Sequence, residues 1–376
     1  MSAKSNVHSI TRHELPPIAL SGVFRPEAQN KELPIYKSAL VVSDSHNGDN
    51  LHPAADGHMQ MIALSDVELL VLNGDIIDFE EIFHYFQEIG LKEFPKNFAE
   101  LAEKNIYPPN RIESMLQFLD VCIDKAQQGA RIVYVTGNHD NVVEALHGQN
   151  IHGIEFKPYF LANVGGKDSL FLHGHQGDKN ADANYRSPIS KFFNTRYFEA
   201  RKHDHKKQNN GYYTNMWKEI GKGVVNNPFR KKMATFAHIM GAEQVFAGHI
   251  HEHHIGTVNI KQSNANGTTT YIDITYCNTG DDADNFYKNG SGAKAILADE
   301  NSVKKHTIST KDKPYNHIQN QEIREKSSYL MEKLYAAFKN TVRSLDCHWQ
   351  HDGKWNTNPA PLPTKDHPLK PHSQVA

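Results

Sequence analysis

The stretch FAGHIHEHH, residues 246–254, places four histidines (His249, His251, His253 and His254) within six residues. Imidazole holds divalent metals and moves protons near neutral pH, so such a cluster can do chemistry. Four other short stretches carry compatible donors: SDSH with Asp44 and His46, NGDIID with Asp75 and Asp78, GNHD with Asn138, His139 and Asp140, and LHGHQGD with His173 and His175. Taken singly, SDSH reads as well as a turn or a helix N-cap, and NGDIID as an ordinary strand ending. Their recurrence in one chain makes a purely structural account hard to sustain. Carboxylate, carboxamide and imidazole without thiolate suit Mn, Fe, Zn, Co or Ni better than a structural zinc site. One ion takes about four to six ligands, fewer than this inventory offers. Two ions about 3.5–4 Å apart, sharing a carboxylate, would use it and could clamp a phosphoryl group.

The elements that must position these donors share one grammar. SALVVSDSH, VELLVLNGD, RIVYVTGNHD, DSLFLHGHQGD and AEQVFAGHIH are each an aliphatic or β-branched run that stops abruptly at Gly, Asp, Asn or His. Such runs read as buried strands. Helical spacing occupies 110–128 and 230–241, so strands and helices alternate. That alternation predicts an α/β layered fold with its loops gathered at the carboxyl ends of the strands. Further on, TTTYIDITYCNTGD, AKAILADE and SVKKHTIST carry the alternation and turns of antiparallel strands. An apolar-periodic helix follows over about 318–345, and NPAPLPTKDHPLKPHSQVA closes the chain as a proline-rich, polar tail. No internal repeat is visible.

The chain has 376 residues, 38% of them apolar, with 41 basic and 43 acidic side chains. A net charge of −2 gives no global field directed at nucleic acid or membrane. Cys122, Cys277 and Cys347 lie far apart without CxxC spacing, which reads as reduced thiols in a cytoplasmic-type compartment. The N-terminus, MSAKSNVHSITRHELPP, lacks an apolar core of the signal-peptide kind, and no run approaches the roughly 18 apolar residues of a membrane span. A cytoplasmic protein is expected, with peripheral contact to a bilayer still compatible. The expected organisation is an N-terminal extension (1–36) without its own core, a main domain (37–310) with a helical insertion (176–243), and a C-terminal helix and tail (311–376).

The ordered set Asp44-x-His46, Gly74-Asp75-x-x-Asp78, Gly137-Asn138-His139-Asp140, His173-Gly174-His175 and Gly248-His249-x-His251 resembles the calcineurin-like metallophosphoesterases over roughly residues 38–300. The resemblance implies a two-sheet β-sandwich flanked by helices, with a dinuclear site at the strand ends. By the same implication Asp44, His46, Asp75 and His251 hold one ion, while Asp75, Asn138, His173 and His249 hold the other. Asp75 is then the bridge, and His253 and His254 match no ligand position. The implied cofactors are two divalent ions, manganese first, with Fe, Zn, Co, Ni or Mg as alternatives. His139 is implied to contact the phosphate and serve as acid for the leaving group, with Asp78 orienting it. The implied reaction is direct attack by metal-bound hydroxide on a phosphodiester or pyrophosphate, without a covalent phosphoenzyme.

Phe79 after Asp78, and Asp140 at the end of GNHD, separate the chain from the protein Ser/Thr phosphatases of that superfamily. The insertion is rich in Arg, Lys and aromatic residues and poor in acids. It reads either as a solvated helical hairpin or as a cap holding an anionic, amphiphilic substrate. That insertion, the GNHD strand and TYCNTGD resemble the UDP-2,3-diacylglucosamine hydrolases, which cleave a nucleotide–lipid pyrophosphate. The expected substrate is accordingly a phosphate-ester small molecule or nucleotide–lipid. A nuclease or general phosphodiesterase is the alternative, with nucleic acid as its partner. An inactive scaffold of the same fold is the non-enzymatic alternative.

Overall fold

The computed structural model describes residues 32–48, 54–91, 93–175, 228–263, 268–280, 293–308 and 319–344. Each apolar run that ends in a candidate ligand is a strand: β2 (Ser38–Val42), β3 (Leu69–Asn73), β4 (Arg131–Val135), β8 (Lys167–Phe171) and β9 (Gln244–Ala247). Short strands fill in around them: β1 (Ile35–Tyr36), β5 (Asn150–Ile151), β6 (Ile154–Lys157) and β7 (Phe160–Val164). The later alternating segments form β10 (His253–Ser263), β11 (Thr269–Thr279), β12 (Ala293–Asp299) and β13 (Val303–Ile308).

They assemble into two mixed sheets. One has the order β13-β12-β2-β3-β4-β6-β5, the other β1-β7-β8-β9-β11-β10. In the first, β2, β3, β4 and β6 are parallel neighbours, with Leu40, Leu70, Ile132 and Ile154 in register. In the second, β8, β9 and β11 are parallel.

Period-two alternation decides which side chain enters which layer. Ala39, Val41, Leu69, Val71, Val133 and Val135 face the second sheet and pack with Phe160, Phe171, Phe246 and Cys277. Their neighbours Leu40, Val42, Leu70, Leu72, Ile132 and Tyr134 face helices instead. With both faces covered, these strands need no polar side, which is why they read as continuous apolar runs. Phe171 and Phe246, register partners on β8 and β9, stack at 4.8 Å between ring centroids in the inter-sheet core.

The helical layer on the first sheet is formed by α1 (Ala54–Leu64), α2 (Phe79–Glu88), the short α3 (Ala99–Glu103), α4 (Pro109–Gln127) and the C-terminal α6 (Gln321–Ser344). Pro109 suits the first turn of α4, where its missing N–H has no intrahelical partner to lose. On α6 the buried Ile323, Leu330, Leu334 and Phe338 repeat at helical spacing and join the same core as Met115, Phe118 and Leu119 of α4. Arg324 locks the two helices together, 2.7 Å from Asp120 and 3.0 Å from Glu113. On the far side of the second sheet lies α5 (228–239), whose Phe229, Met233 and Phe236 cover Leu170, Val245 and Tyr276.

The result is a two-sheet α/β sandwich flanked by helices, the calcineurin-like arrangement expected above. The helices at 110–128, 230–241 and 318–345 match to within three residues at each end. Most of the insertion (176–227), most of the N-terminal extension and the proline-rich tail lie outside the described residues. Among the described residues no helix is long and apolar enough to cross a membrane.

Candidate metal centre

Parallel strands present their carboxyl ends on one edge, and loops from β2, β3, β4, β8 and β9 meet there. Backbone hydrogen bonds tie the loops to each other. Asp44 N donates to Gly74 O at 3.0 Å, His46 N to Asp75 O at 2.9 Å, Phe79 N to His139 O at 3.2 Å, and Gly248 N to His173 O at 2.8 Å. Asn73 crosses between the sheets: its carboxamide donates to the carbonyls of Leu172 (3.0 Å) and Phe246 (3.2 Å).

The chain is strained where it turns into the site. Of the seven non-glycine residues described with positive φ, five are Asp44, Asp75, His46, His249 and His251. Each such conformation costs about 1–3 kcal/mol and persists only where the surroundings impose it. Two signature glycines permit close approach. A Cβ at Gly137 would lie 2.1 Å from Asp75 Oδ1, and one at Gly248 would lie 2.6 Å from Asp44 Oδ2.

The donors expected from sequence converge. Asp44, His46 and His251 bring one ligand atom each within 4.8 Å of one another, and so do Asp44, Asp75 and His173. Asp44 is thus common to both groups. His251 Nε2 lies 3.5 Å from Asp44 Oδ1, and the His46 and His251 rings stack at 5.3 Å. His173 Nδ1–H donates to Asn73 O at 2.9 Å, which leaves Nε2 facing Asp75 Oδ2 at 3.1 Å and Asn138 Oδ1 at 3.2 Å. His249 Nδ1 approaches the same Asn138 oxygen at 2.9 Å.

His139 and Asp78 sit beside this cluster. Asp78 Oδ2 accepts from His46 Nδ1 at 2.9 Å, and Oδ1 accepts from His139 Nδ1 at 3.2 Å. Oδ1 also accepts from Glu81 N at 2.8 Å, so Asp78 caps α2 as well. An ionised carboxylate only accepts, so both imidazoles carry a proton on Nδ1 and present Nε2. His139 N in turn donates to Asp75 Oδ1 at 2.8 Å.

The electrostatics follow from this packing. Burial alone would raise the carboxyls of Asp44, Asp75 and Asp78, but the imidazoles around them outweigh it and hold all three below the usual range. Burial likewise opposes charge on His46, His139 and His173, yet the aspartates prevail; His173 is raised to about 9. Three buried carboxylates in one cluster call for cationic compensation. Imidazole protons supply part of it, and dications coordinated by these oxygen and nitrogen donors fit the same requirement.

Several contributing residues lie outside the expected ligand and catalytic set. Asp140, the last residue of GNHD, accepts from Tyr134 Oη (2.7 Å), Gly137 N (2.6 Å) and Ile76 N (2.8 Å), so it fixes two of the loops at once. Burial raises its carboxyl to about 6. Ser43 hydrogen-bonds to Asp44 and, at 2.6 Å, to Thr279 on β11. His58 on α1 bridges Ser45 Oγ (2.8 Å) and Lys294 O (2.9 Å), anchoring the loop between Asp44 and His46. Glu80 Oε2 lies 3.3 Å from His139 Nδ1. Of the two remaining histidines of the opening stretch, His253 reaches Ala295 O at 3.0 Å, and His254 lies against Tyr276 at 6.0 Å. Neither joins a ligand group.

A family model for calcineurin-like phosphoesterases matches residues 38–253. None of the curated proteins compared with the chain matches it. Among solved structures, it is similar to a predicted phosphoesterase from Streptococcus pneumoniae at 13% identity, covering 74% of this chain and 93% of that one, with a TM-score of 0.28. It is also similar to Vacuolar Protein Sorting 29 from Cryptosporidium parvum (12%, 74% and 100%, 0.29). A third is a dimetal phosphatase from Danio rerio (10%, 72% and 98%, 0.30). The assignment rests on the family match, which spans all five ligand-bearing strand ends from Asp44 to His251: the chain belongs to the calcineurin-like phosphoesterases, metal-dependent hydrolases of phosphoester bonds.

Proposed function

We propose that this phosphoesterase cleaves a phosphodiester or pyrophosphate bond in a nucleotide–lipid of the UDP-diacylglucosamine kind, using two divalent ions with manganese first. Asp44, His46, Asp75 and His251 would hold one ion; Asp75, Asn138, His173 and His249 would hold the other. The observation that supports this reading is the convergence of two ligand groups, Asp44–His46–His251 and Asp44–Asp75–His173, which brings Asp44 and Asp75 together between the histidines expected on the two ions. Ions held there would supply Lewis acidity toward the phosphoryl oxygens.

The chain's own residues do the rest. Asn73 O and Asp78 fix the imidazole tautomers of His173 and His46, so that Nε2 is the nitrogen offered in each. His139, held through Nδ1–H by Asp78, is favoured as the imidazolium by the carboxylates of Asp78, Asp75 and Glu80, so its second proton, on Nε2, can pass to the leaving oxygen, the role of a general acid. The nucleotide–lipid part is supported by the resemblance in the insertion and in TYCNTGD, and by the basic, aromatic composition of that insertion.

Incubation with UDP-diacylglucosamine, bis(p-nitrophenyl) phosphate and single-stranded DNA, each with Mn, tests the substrate. UMP and a lipid monophosphate are the expected products; a preference for DNA would select a nuclease, and inertness toward all three a scaffold. Asp75→Ala and Asn138→Ala should each abolish hydrolysis while leaving the core folded. Wild-type rates in either would remove the two-ion reading.

A further inference from the structure

Helix α2 starts with two acids, Glu80 and Glu81. Acids in a first turn complement the helix macrodipole, which accounts for their type but not for their directions. Glu81 reaches Arg111 at 3.3 Å, whose guanidinium lies over the Tyr85 and Tyr107 rings at 5.7 and 5.5 Å. Glu80 reaches His139, with Oε2 3.3 Å from Nδ1. The same nitrogen is 3.2 Å from Asp78 Oδ1. The Asp78 side chain is 3% exposed, that of Glu80 25% and that of His139 22%, so the imidazole has one carboxylate on its buried side and one toward solvent. Asp78 also serves other groups: its Oδ1 caps α2 through Glu81 N, and its Oδ2 holds His46. One acceptor shared in this way restrains a ring from one side only.

We propose that Glu80 is a positioning residue for His139, sharing the Nδ1–H with Asp78 and thereby confining the ring from which Nε2 works. Glu80 belongs to neither ligand set and to none of the five signature motifs. The inference rests on His139 being a working imidazole, as read above. The proposed effect passes through that ring, so Glu80's contribution to turnover should vanish when the ring is gone.

The test is a double-mutant cycle on the full chain with Mn and bis(p-nitrophenyl) phosphate, using Glu80→Ala, His139→Ala and the double variant. Losing a side chain that orients a site residue costs roughly 10–100-fold. Glu80→Ala should lower kcat by about that factor, with KM changed much less. In the His139→Ala background the same substitution should change nothing. Glu80→Gln keeps an acceptor oxygen and should recover most of the loss. Calorimetric binding of inorganic phosphate to the same proteins gives a second cycle without turnover, and metal analysis should show equal Mn in all of them. Equal losses in both backgrounds, or less Mn in Glu80→Ala, would overturn the proposal while leaving His139 its role. Undiminished hydrolysis in His139→Ala would overturn both.

Discussion

Asp78→Asn separates what the carboxylate does as an acceptor from what it does as a cap. In the structure Oδ1 accepts from Glu81 N and His139 Nδ1, while Oδ2 accepts from His46 Nδ1. Asparagine keeps the shape and caps about as well as aspartate, but it turns one acceptor into an NH2 donor. If the oxygen stays with Glu81 N, the NH2 faces the N–H of His46. His46 can relieve that conflict by moving its proton to Nε2, which removes the lone pair it would offer beside Asp44 and His251. Losses of this kind cost about 10–100-fold in metal affinity or activity, that is about 1.4–2.8 kcal/mol. One Mn equivalent should therefore bind more weakly by that factor, and the other should be nearly unaffected. Mn titration by calorimetry and kcat on bis(p-nitrophenyl) phosphate read both effects. The stability of the metal-free protein gives a check of sign. The folded Asp78 carboxyl is held low, so its stabilisation is present above the usual carboxylate range and lost as pH falls through the folded value. The gap between wild type and Asp78→Asn should be widest near pH 7 and close in acid. Two Mn equivalents bound with wild-type affinity would refute the argument that Asp78 sets the tautomer of His46.

Gly137→Ala would push a Cβ to 2.3 Å from Asp75 N as well as into its carboxylate, and should cost about 1–3 kcal/mol in urea denaturation together with most of the hydrolysis. A variant near wild type on both measures would mean that the loop has room to spare. His58 offers a pH test, because burial depresses its imidazole from 6.5 to about 4. The unfolded chain takes up that proton first, so stability should fall as pH drops from about 6.5 to 4, by up to about 3 kcal/mol. His58→Gln should flatten that part of the stability profile relative to wild type; an unchanged slope would show that His58 is charged in the fold.

The strand framework was legible because both faces of the central strands are covered, which leaves uninterrupted apolar runs such as LLVLN and RIVYV. The candidate ligands were legible for a related reason: a parallel strand ends where its apolar run ends, and the donors follow at once. The partition into two sheets was not legible from the runs themselves. LLVLN joins the first sheet and QVFA the second, and nothing within either run distinguishes them. What joins the sheets at the site edge is Asn73, the last residue of β3. In sequence it reads as part of a polar strand ending. β1, only two residues long and paired with β7, carries too little pattern to be read at all.

The same limit applies within the site, and it explains where sequence reasoning stops. Residue type and spacing identify donors that point at a cation, because a cation demands particular atoms. They do not identify the groups that fix those donors, because a hydrogen bond to an imidazole can come from a carbonyl (Asn73), a carboxylate (Asp78) or, for the adjoining loop, another imidazole (His58). Asp78 was found because it lies in a recognisable motif, yet its simultaneous hold on α2, His46 and His139 emerges only in three dimensions. Five site residues sit at positive φ, a conformation each would avoid in isolation. The inter-sheet core and the ties between loops hold those turns in place, and a site held in this way meets its substrate with little left to reorganise.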